Sequence, residues 1–278
     1  MKRFKIVVDS CCDVTNEYLN EHDITSVPLT ITVDGTDYVD TTELDVSLLL
    51  DAVSDTTDPG TTSCPSPQAY LNAYQGHDEI FVVTLGSKVS GSYNSAVLAS
   101  KLYAEKNPDA KVHVIDSSSA ACAEVALARQ LVDWRAAGRT FDEVIPDIEA
   151  MSANLKTYFL LDDMIALIKN GRIRGLKAFL VGKLNIKAIM SQRNGEIVQV
   201  STGRGIVKAL GNMAKIVQRE AIANGSKILY ITHINAMDKV RAFLDKVNAN
   251  EIFQKIIINE GRGLSSFYAR SGGLIVAF

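Results

Sequence analysis

Residues 80–106 read IFVVTLGSKVSGSYNSAVLASKLYAEK. A β-branched apolar run at 80–83 stops at Thr84, a Gly- and Ser-rich turn follows, and a helical pattern opens after Ser90 and continues to Lys106. An apolar run of this length without alternation fits a strand buried on both faces, as in a parallel sheet. The same rhythm recurs on either side, with residues 4–8 ahead of Asp9-Ser10 and residues 112–115 ahead of Asp116-Ser117. Helix starts lie between these runs. Asp13 is placed to cap a helix toward His22, Asp45 caps 46–53, and Ser66-Pro67 is an N-cap followed by a first-turn proline. This alternation predicts a doubly wound, mostly parallel α/β sheet with right-handed crossovers. Ligands of such sheets bind beyond the carboxyl ends of the strands, where these small polar residues gather.

Farther out the rhythm changes. Residues 25–39, TSVPLTITVDGTDYV, are strand-like around Asp34-Gly35, a hairpin signal, and predict an antiparallel edge. A helical stretch at 141–153 closes the first unit. The second opens with a strand at 158–161 and a helix at 163–169, then a Gly- and Arg-rich turn. Strands at 186–190 and 197–200 follow, joined near Asn194-Gly195. Helices at 206–223 and 237–247 then alternate with strands at 227–232, 252–259 and 274–278. Hairpin-linked strands beside α/β units imply a mixed sheet. The expectation is two α/β domains, 1–155 and 156–278. No internal repeat is seen.

Composition narrows the class. With 47% hydrophobic and 22% charged residues over 278 positions, the chain has enough apolar material for a core and is neither disordered nor collagen-like. A formal charge of −3 argues against a broad nucleic-acid surface. The cysteines, at 11, 12, 64 and 122, are too sparse for a disulfide scaffold and point to a reducing compartment. The start, MKRFKIVVDS, meets Asp9 too early for a signal peptide, and no apolar run approaches the ~20 residues of a membrane span. A cytoplasmic protein is expected.

Familiar catalytic and cofactor motifs do not fit. Gly175 to Lys183 has the wrong spacing for a phosphate-binding loop, and Gly203-Arg204-Gly205 and Gly261-Arg262-Gly263 each lack the third glycine of a dinucleotide loop. The histidines, at 22, 77, 113 and 233, have no ligand spacing, so no metal is expected; His233 alone ends a predicted strand and has a route to a cleft. Neither Gly86-Ser87-Lys88-Val89 nor Gly91-Ser92-Tyr93-Asn94 completes a nucleophile elbow. No cofactor is expected.

Two segments instead concentrate hydroxyl residues at helix starts: Gly60-Thr61-Thr62-Ser63-Cys64-Pro65-Ser66-Pro67 and Gly86-Ser87-Lys88-Val89-Ser90-Gly91-Ser92. Unpaired amides, a positive dipole end and adjacent hydroxyls suit a bound carboxylate or phosphate. Simple helix capping by the same residues is the other reading.

These segments also carry a family resemblance. TTSCPSP resembles the T-S-x-P-S-P motif of the bacterial DegV family, and TLGSKVSGSYNSA resembles its S-x-x-S-G-T-Y-x-S-A motif. IVVDSCCDV is similar to the family's first strand and D-S-x-x-D turn, and VHVIDSSSA to its V-x-D-S element. FLLDDMIALIKNGRIRGLKAFLVGKLNIKAIM resembles the stretch with an L-x-K-G-G-R-I core and an I-K-P-I end, followed by NGEI and a helix with Lys208-Ala209. The motifs fall in the family's order over nearly the whole chain.

The resemblance implies a two-domain protein that holds one long-chain fatty acid between its domains and is not itself a catalyst. The carboxylate would meet Thr62 and Ser90, with Ser63, the Gly91 amide and Ser92 beside them. Several family members hand the acid to a separate fatty acid kinase that phosphorylates the carboxyl group, and Arg172 would contact that kinase or the phosphorylated head group. Arg174, Lys177 and Lys183 extend the basic stretch. Transient contact with a membrane surface also fits this role. A chain of ~14 methylenes at ~0.8 kcal/mol each is worth on the order of 11 kcal/mol of transfer from water, so an apolar tunnel must dominate affinity. Its candidate lining is Leu160, Leu161, Met164, Leu167, Ile168, Phe179, Leu180, Ile186 and Ile189. One departure stands out: the family's H-x-G-P-G is set against Asn259-Glu260-Gly261-Arg262-Gly263, so Asn259 replaces a carboxylate-holding His and Arg262 offers a substitute charge. The alternative function is a serine-dependent acyl hydrolase or acyltransferase, which lacks a base near Ser90 or Ser92.

Overall fold

The computed structural model describes residues 4–58, 60–173 and 185–278. Its first sheet contains β1 (Lys5–Asp9), β2 (Ile24–Val27), β6 (Glu79–Thr84) and β7 (Lys111–Asp116), ordered β2-β1-β6-β7 and parallel throughout. All of β1 is buried, as a strand covered on both faces must be. On one face lie α3 (Pro67–Tyr74) and α4 (Ser92–Lys106), which pack Tyr70, Tyr74 and Ala96 against Val7, Ile80 and Val82. On the other lie α1 (Asn16–Glu21), α5 (Cys122–Ala136) and α6 (Phe141–Asn154), packed on Ile6, Val8, Phe81 and Val83.

The second sheet is mixed, ordered β10-β9-β8-β13-β11-β12. Its strands are β8 (Thr157–Leu160), β9 (Ile186–Arg193), β10 (Glu196–Arg204), β11 (Ile228–His233), β12 (Lys255–Glu260) and β13 (Leu274–Ala277). Only the β11–β12 pair is parallel. One face is covered by α8 (Gly205–Asn224) and α9 (Met237–Val247), with the one-turn α10 (Ala249–Ile252) beside them. The opposite face meets α5, whose hydrophobic cluster includes Tyr230 and Ala277. Helix α5 therefore packs between the two sheets, and this double burial explains why Cys122 through Ala128 are all inaccessible.

Two departures from expectation place the site. Residues 25–39 do not form one antiparallel edge: β2 joins the parallel sheet, whereas β3 (Thr30–Val33) and β4 (Thr36–Val39) form a hairpin that continues through β5 (Thr61–Ser63) as a separate three-stranded sheet. Pro28 lies at the break, where it donates no ladder hydrogen bond. Asp13 does not cap the first helix. Thr15 does so, accepting from the Tyr18 amide, and Asp13 is committed elsewhere. The expected caps Asp45, for α2 (Val46–Asp55), and Ser66, for α3, are in place. Two short helices complete the set: α7 (Ile165–Lys169) after β8 and α11 (Gly263–Ala269) between β12 and β13.

Candidate functional site

The turns after β1 and β6, strand β5, helix α11 and the inner face of β8 line one cavity. Its walls are largely aliphatic and aromatic, with Leu29, Leu85, Leu161, Leu167, Phe159 and Ile275 among them. Strand periodicity sorts the sequence candidates. The candidate Leu161 lines the cavity, as does Phe159, which was not among the candidates, whereas Leu160 and Ile189 point into the α8 cluster on the other face. Leu167 also lines the cavity, Met164 and Ile168 pack near it, and Phe179 and Leu180 lie outside the described residues.

Polar side chains also contribute, with Thr157, Gln192 and Ser265 among the lining residues. Thr62, Ser90 and Arg172 line the cavity, and Thr62 Oγ1 is 2.8 Å from the hydroxyl of Tyr268, another lining residue. The Arg172 guanidinium is fixed by Nε donating to Val89 O (3.2 Å) and Nη1 to Asn170 O (3.0 Å). Its Nη2 reaches Thr62 Oγ1 at 3.5 Å, and its carbon stands 5.8 Å from the Tyr268 ring centroid, within cation–π range. Burial raises the Tyr268 phenol, while the Thr62 hydrogen bond and the Arg172 charge pull it down. The phenol thus stays a neutral donor beside a guanidinium.

Ser90 owes its place to the start of α4. The Ser92 amide donates to Ser90 Oγ at 3.2 Å, and Ser90 Oγ in turn donates to Ser92 Oγ at 3.2 Å. Ser92 itself is fully buried and does not line the cavity; its hydroxyl faces Asp9. Gly91 joins the two hydroxyl-rich segments, because a Cβ there would stand 2.8 Å from Cys64 Sγ. Gly91 lies on the exposed side of this junction, as does Ser63, whose neighbour Thr62 turns inward.

Asn259 and Arg262 lie outside the cavity lining. Asn259 is buried in β12 opposite Thr232, and the Arg262 backbone amide donates to Asp13 Oδ1 at 2.7 Å at the start of α11. The Arg262 guanidinium reaches Asn16 Oδ1 (3.5 Å) and influences Asp40 and Cys12, away from Thr62. His233 is buried at the end of β11 with Nδ1 accepting from the Ala236 amide, and it too is absent from the lining. Arg174, Lys177 and Lys183 lie outside the described residues.

Tyr268 is the site residue that sequence reasoning missed. The only signal was an aromatic hydroxyl residue in the short SSFYAR run. Its partner Thr62 lies 206 positions earlier.

The arrangement offers a charged donor and hydroxyls beside largely aliphatic and aromatic walls, which suits an amphiphile with an anionic head. Known proteins of this shape bear on that chemistry. A family model described as "Uncharacterised protein, DegV family" matches residues 3–272. A DegV domain-containing protein of Streptococcus gordonii is 34% identical over 99% of this chain and 98% of its own. A DegV family protein of Ruminococcus gnavus, solved with vaccenic acid, superposes with a TM-score of 0.93 at 36% identity over 99% of both chains. The Streptococcus pneumoniae Fatty Acid Kinase (Fak) B3 protein, loaded with linoleic acid, gives 0.91 at 31% identity over 100% of this chain and 99% of that one. With fold, motif order and nearly full-length similarity in agreement, this chain belongs to the DegV family.

Proposed function

We infer that this protein binds one long-chain fatty acid, with the carboxylate at Thr62, Ser90, Arg172 and Tyr268 and the acyl chain along the apolar walls. The observation that carries this reading is the group formed by the fixed Arg172 guanidinium, Thr62 and Tyr268, with Ser90 next to the Val89 carbonyl that holds Arg172, in the wall of a largely apolar cavity. The Ruminococcus and pneumococcal relatives, with vaccenic and linoleic acid, support it. Ser63, Gly91 and Ser92 shape the loops that hold Thr62 and Ser90, while Arg262 serves the start of α11 through its amide and Asn259 lies in β12. The protein holds its ligand rather than transforming it, since the Ser90 hydroxyl engages Ser92 and, among the described residues, no hydrogen bond joins it to a base.

The pneumococcal relative's name favours a fatty acid kinase as partner. Arg172, at the head of the cavity, would then serve both the carboxylate and the phosphorylated product, because a guanidinium pairs with either anion. The division into units 1–155 and 156–278, a cytoplasmic location and transient membrane-surface contact during loading belong to the same proposal. Free thiols and the absence, among the described residues, of a helix long and apolar enough to cross a membrane are compatible with it. Organic extraction of the purified protein followed by mass spectrometry tests the reading. Fatty acid near one per chain is expected, and an extract without fatty acid after gentle purification counts against it.

A further inference from the structure

Resting on the fatty-acid reading, a second set of residues lies outside the cavity. Asp13 and Asp40 come from the first 40 residues, are both buried, and converge on the start of α11 near the end of the chain. Asp40 accepts the Gly263 amide on Oδ1 and the Leu264 amide on Oδ2, each at 3.0 Å. Asp13 accepts the Arg262 amide on Oδ1 (2.7 Å), and the hydroxyls of Ser265 (2.8 Å) and Thr232 (2.9 Å) on Oδ2. Gly263 permits the approach, since a Cβ there would come within 2.6 Å of Asp40 Oδ1. A seven-residue helix has too few internal hydrogen bonds to hold itself in place, so external acceptors for its first amides decide where it sits. That position sets the reach of Tyr268, one turn farther on, whose hydroxyl bonds Thr62.

We propose that Asp13 and Asp40 are positioning residues for the head-group site, which anchor α11 so that Tyr268 holds the Thr62 hydroxyl toward the ligand carboxylate. Asp13, the second acid of the D-S-x-x-D turn, thereby gains a role that helix capping does not give it. Neither aspartate lines the cavity.

A double-mutant cycle separates positioning from general support. Oleate affinity is measured for Asp40→Asn and for Thr232→Val, a volume-conserving change that removes one tether of Asp13. Each is compared with its counterpart carrying Tyr268→Phe as well, and urea unfolding is recorded for all. Each single variant is expected to lose roughly three- to tenfold in affinity, and most of that loss should vanish once the Tyr268 hydroxyl is gone. Thr232→Val decides the matter if Asp40→Asn does not fold. Equal losses with and without the hydroxyl, or no loss in any folded single variant, would overturn the assignment. A parent protein that binds no oleate would instead overturn the fatty-acid reading, and this inference with it.

Discussion

At the scale of single residues, the account depends on donors aimed at one carboxylate. Thr62→Val and Ser90→Ala should each weaken oleate binding by roughly 1–3 kcal/mol, because each leaves a buried anion short of a hydrogen bond; calorimetric titration reads this directly. Arg172 and Arg262 provide a sharper contrast. Arg172→Gln should cost more affinity for oleate than for methyl oleate, since only the acid carries the charge that a guanidinium rewards. Arg262→Gln should leave the acid-to-ester preference unchanged, because that guanidinium faces Asn16 and Asp40. Thr62 and Ser90 stand out in the sequence because they sit in hydroxyl-rich segments at helix starts, whereas Arg172 enters only through the resemblance, as a contact for a kinase or a phosphorylated head group; all three line the cavity. Tyr268 does not stand out, since nothing local marks a tyrosine whose partner is supplied by a distant strand. Asn259 and Arg262, where the sequence departs from the family pattern, lie outside the cavity lining, Asn259 within β12 and Arg262 at the start of α11.

At the scale of elements, α5 and α11 shape the site, and sequence periodicity revealed neither. Helix α5 is buried on every side from Cys122 to Ala128 because both sheets press on it, so small and apolar residues, Glu124 excepted, fill its first two turns and no continuous polar stripe marks it as amphipathic. Helix α11 is seven residues of mostly weak helix formers between glycines, and tertiary anchoring, not propensity, makes it helical. The hairpin at Asp34-Gly35 was legible because that dipeptide favours the left-handed conformations it adopts, with φ of 46° and 76°. The anchoring of α11 has a pH signature. Burial pushes the Asp13 carboxyl from 3.8 up to about 7, only partly offset by the Arg262 amide and the Ser265 and Thr232 hydroxyls. Between these values the folded protein keeps a proton that the unfolded chain releases, so stability falls as pH rises. The contribution is complete below about pH 4 and lost as pH passes about 7. Asp9, Asp40 and Glu124 are raised by burial as well and act in the same direction. The difference between parent and Asp13→Asn isolates one group. In urea unfolding across pH 4–8, that difference should drift against the parent with a slope approaching 1.4 kcal/mol per pH unit within the window. A pH-independent difference would show that Asp13 is ionised throughout.

At the scale of the whole molecule, the layers explain why a cavity exists at all. A parallel sheet presents its strand ends, and the small polar turns after β1 and β6, to one side. The mixed sheet meets the same helix, α5, from the opposite side, and α11 crosses from the mixed sheet to close against the β3–β5 hairpin sheet through Leu264 and Phe267. Two sheets joined through one helix leave a gap near their edges that neither sheet alone encloses, and its walls come from both halves of the chain. Most of the order of strands and helices was readable from apolar runs and capping residues, with β5, α5 and α11 among the exceptions, whereas the packing of one half on the other rests on contacts between residues far apart in sequence. The central claim is that this gap holds a fatty acid by its carboxylate. Titration of the delipidated protein with oleate and with methyl oleate tests it most directly. Saturable one-to-one binding is predicted, with the acid preferred over the ester; the absence of saturable binding, or equal affinity for acid and ester, would contradict it.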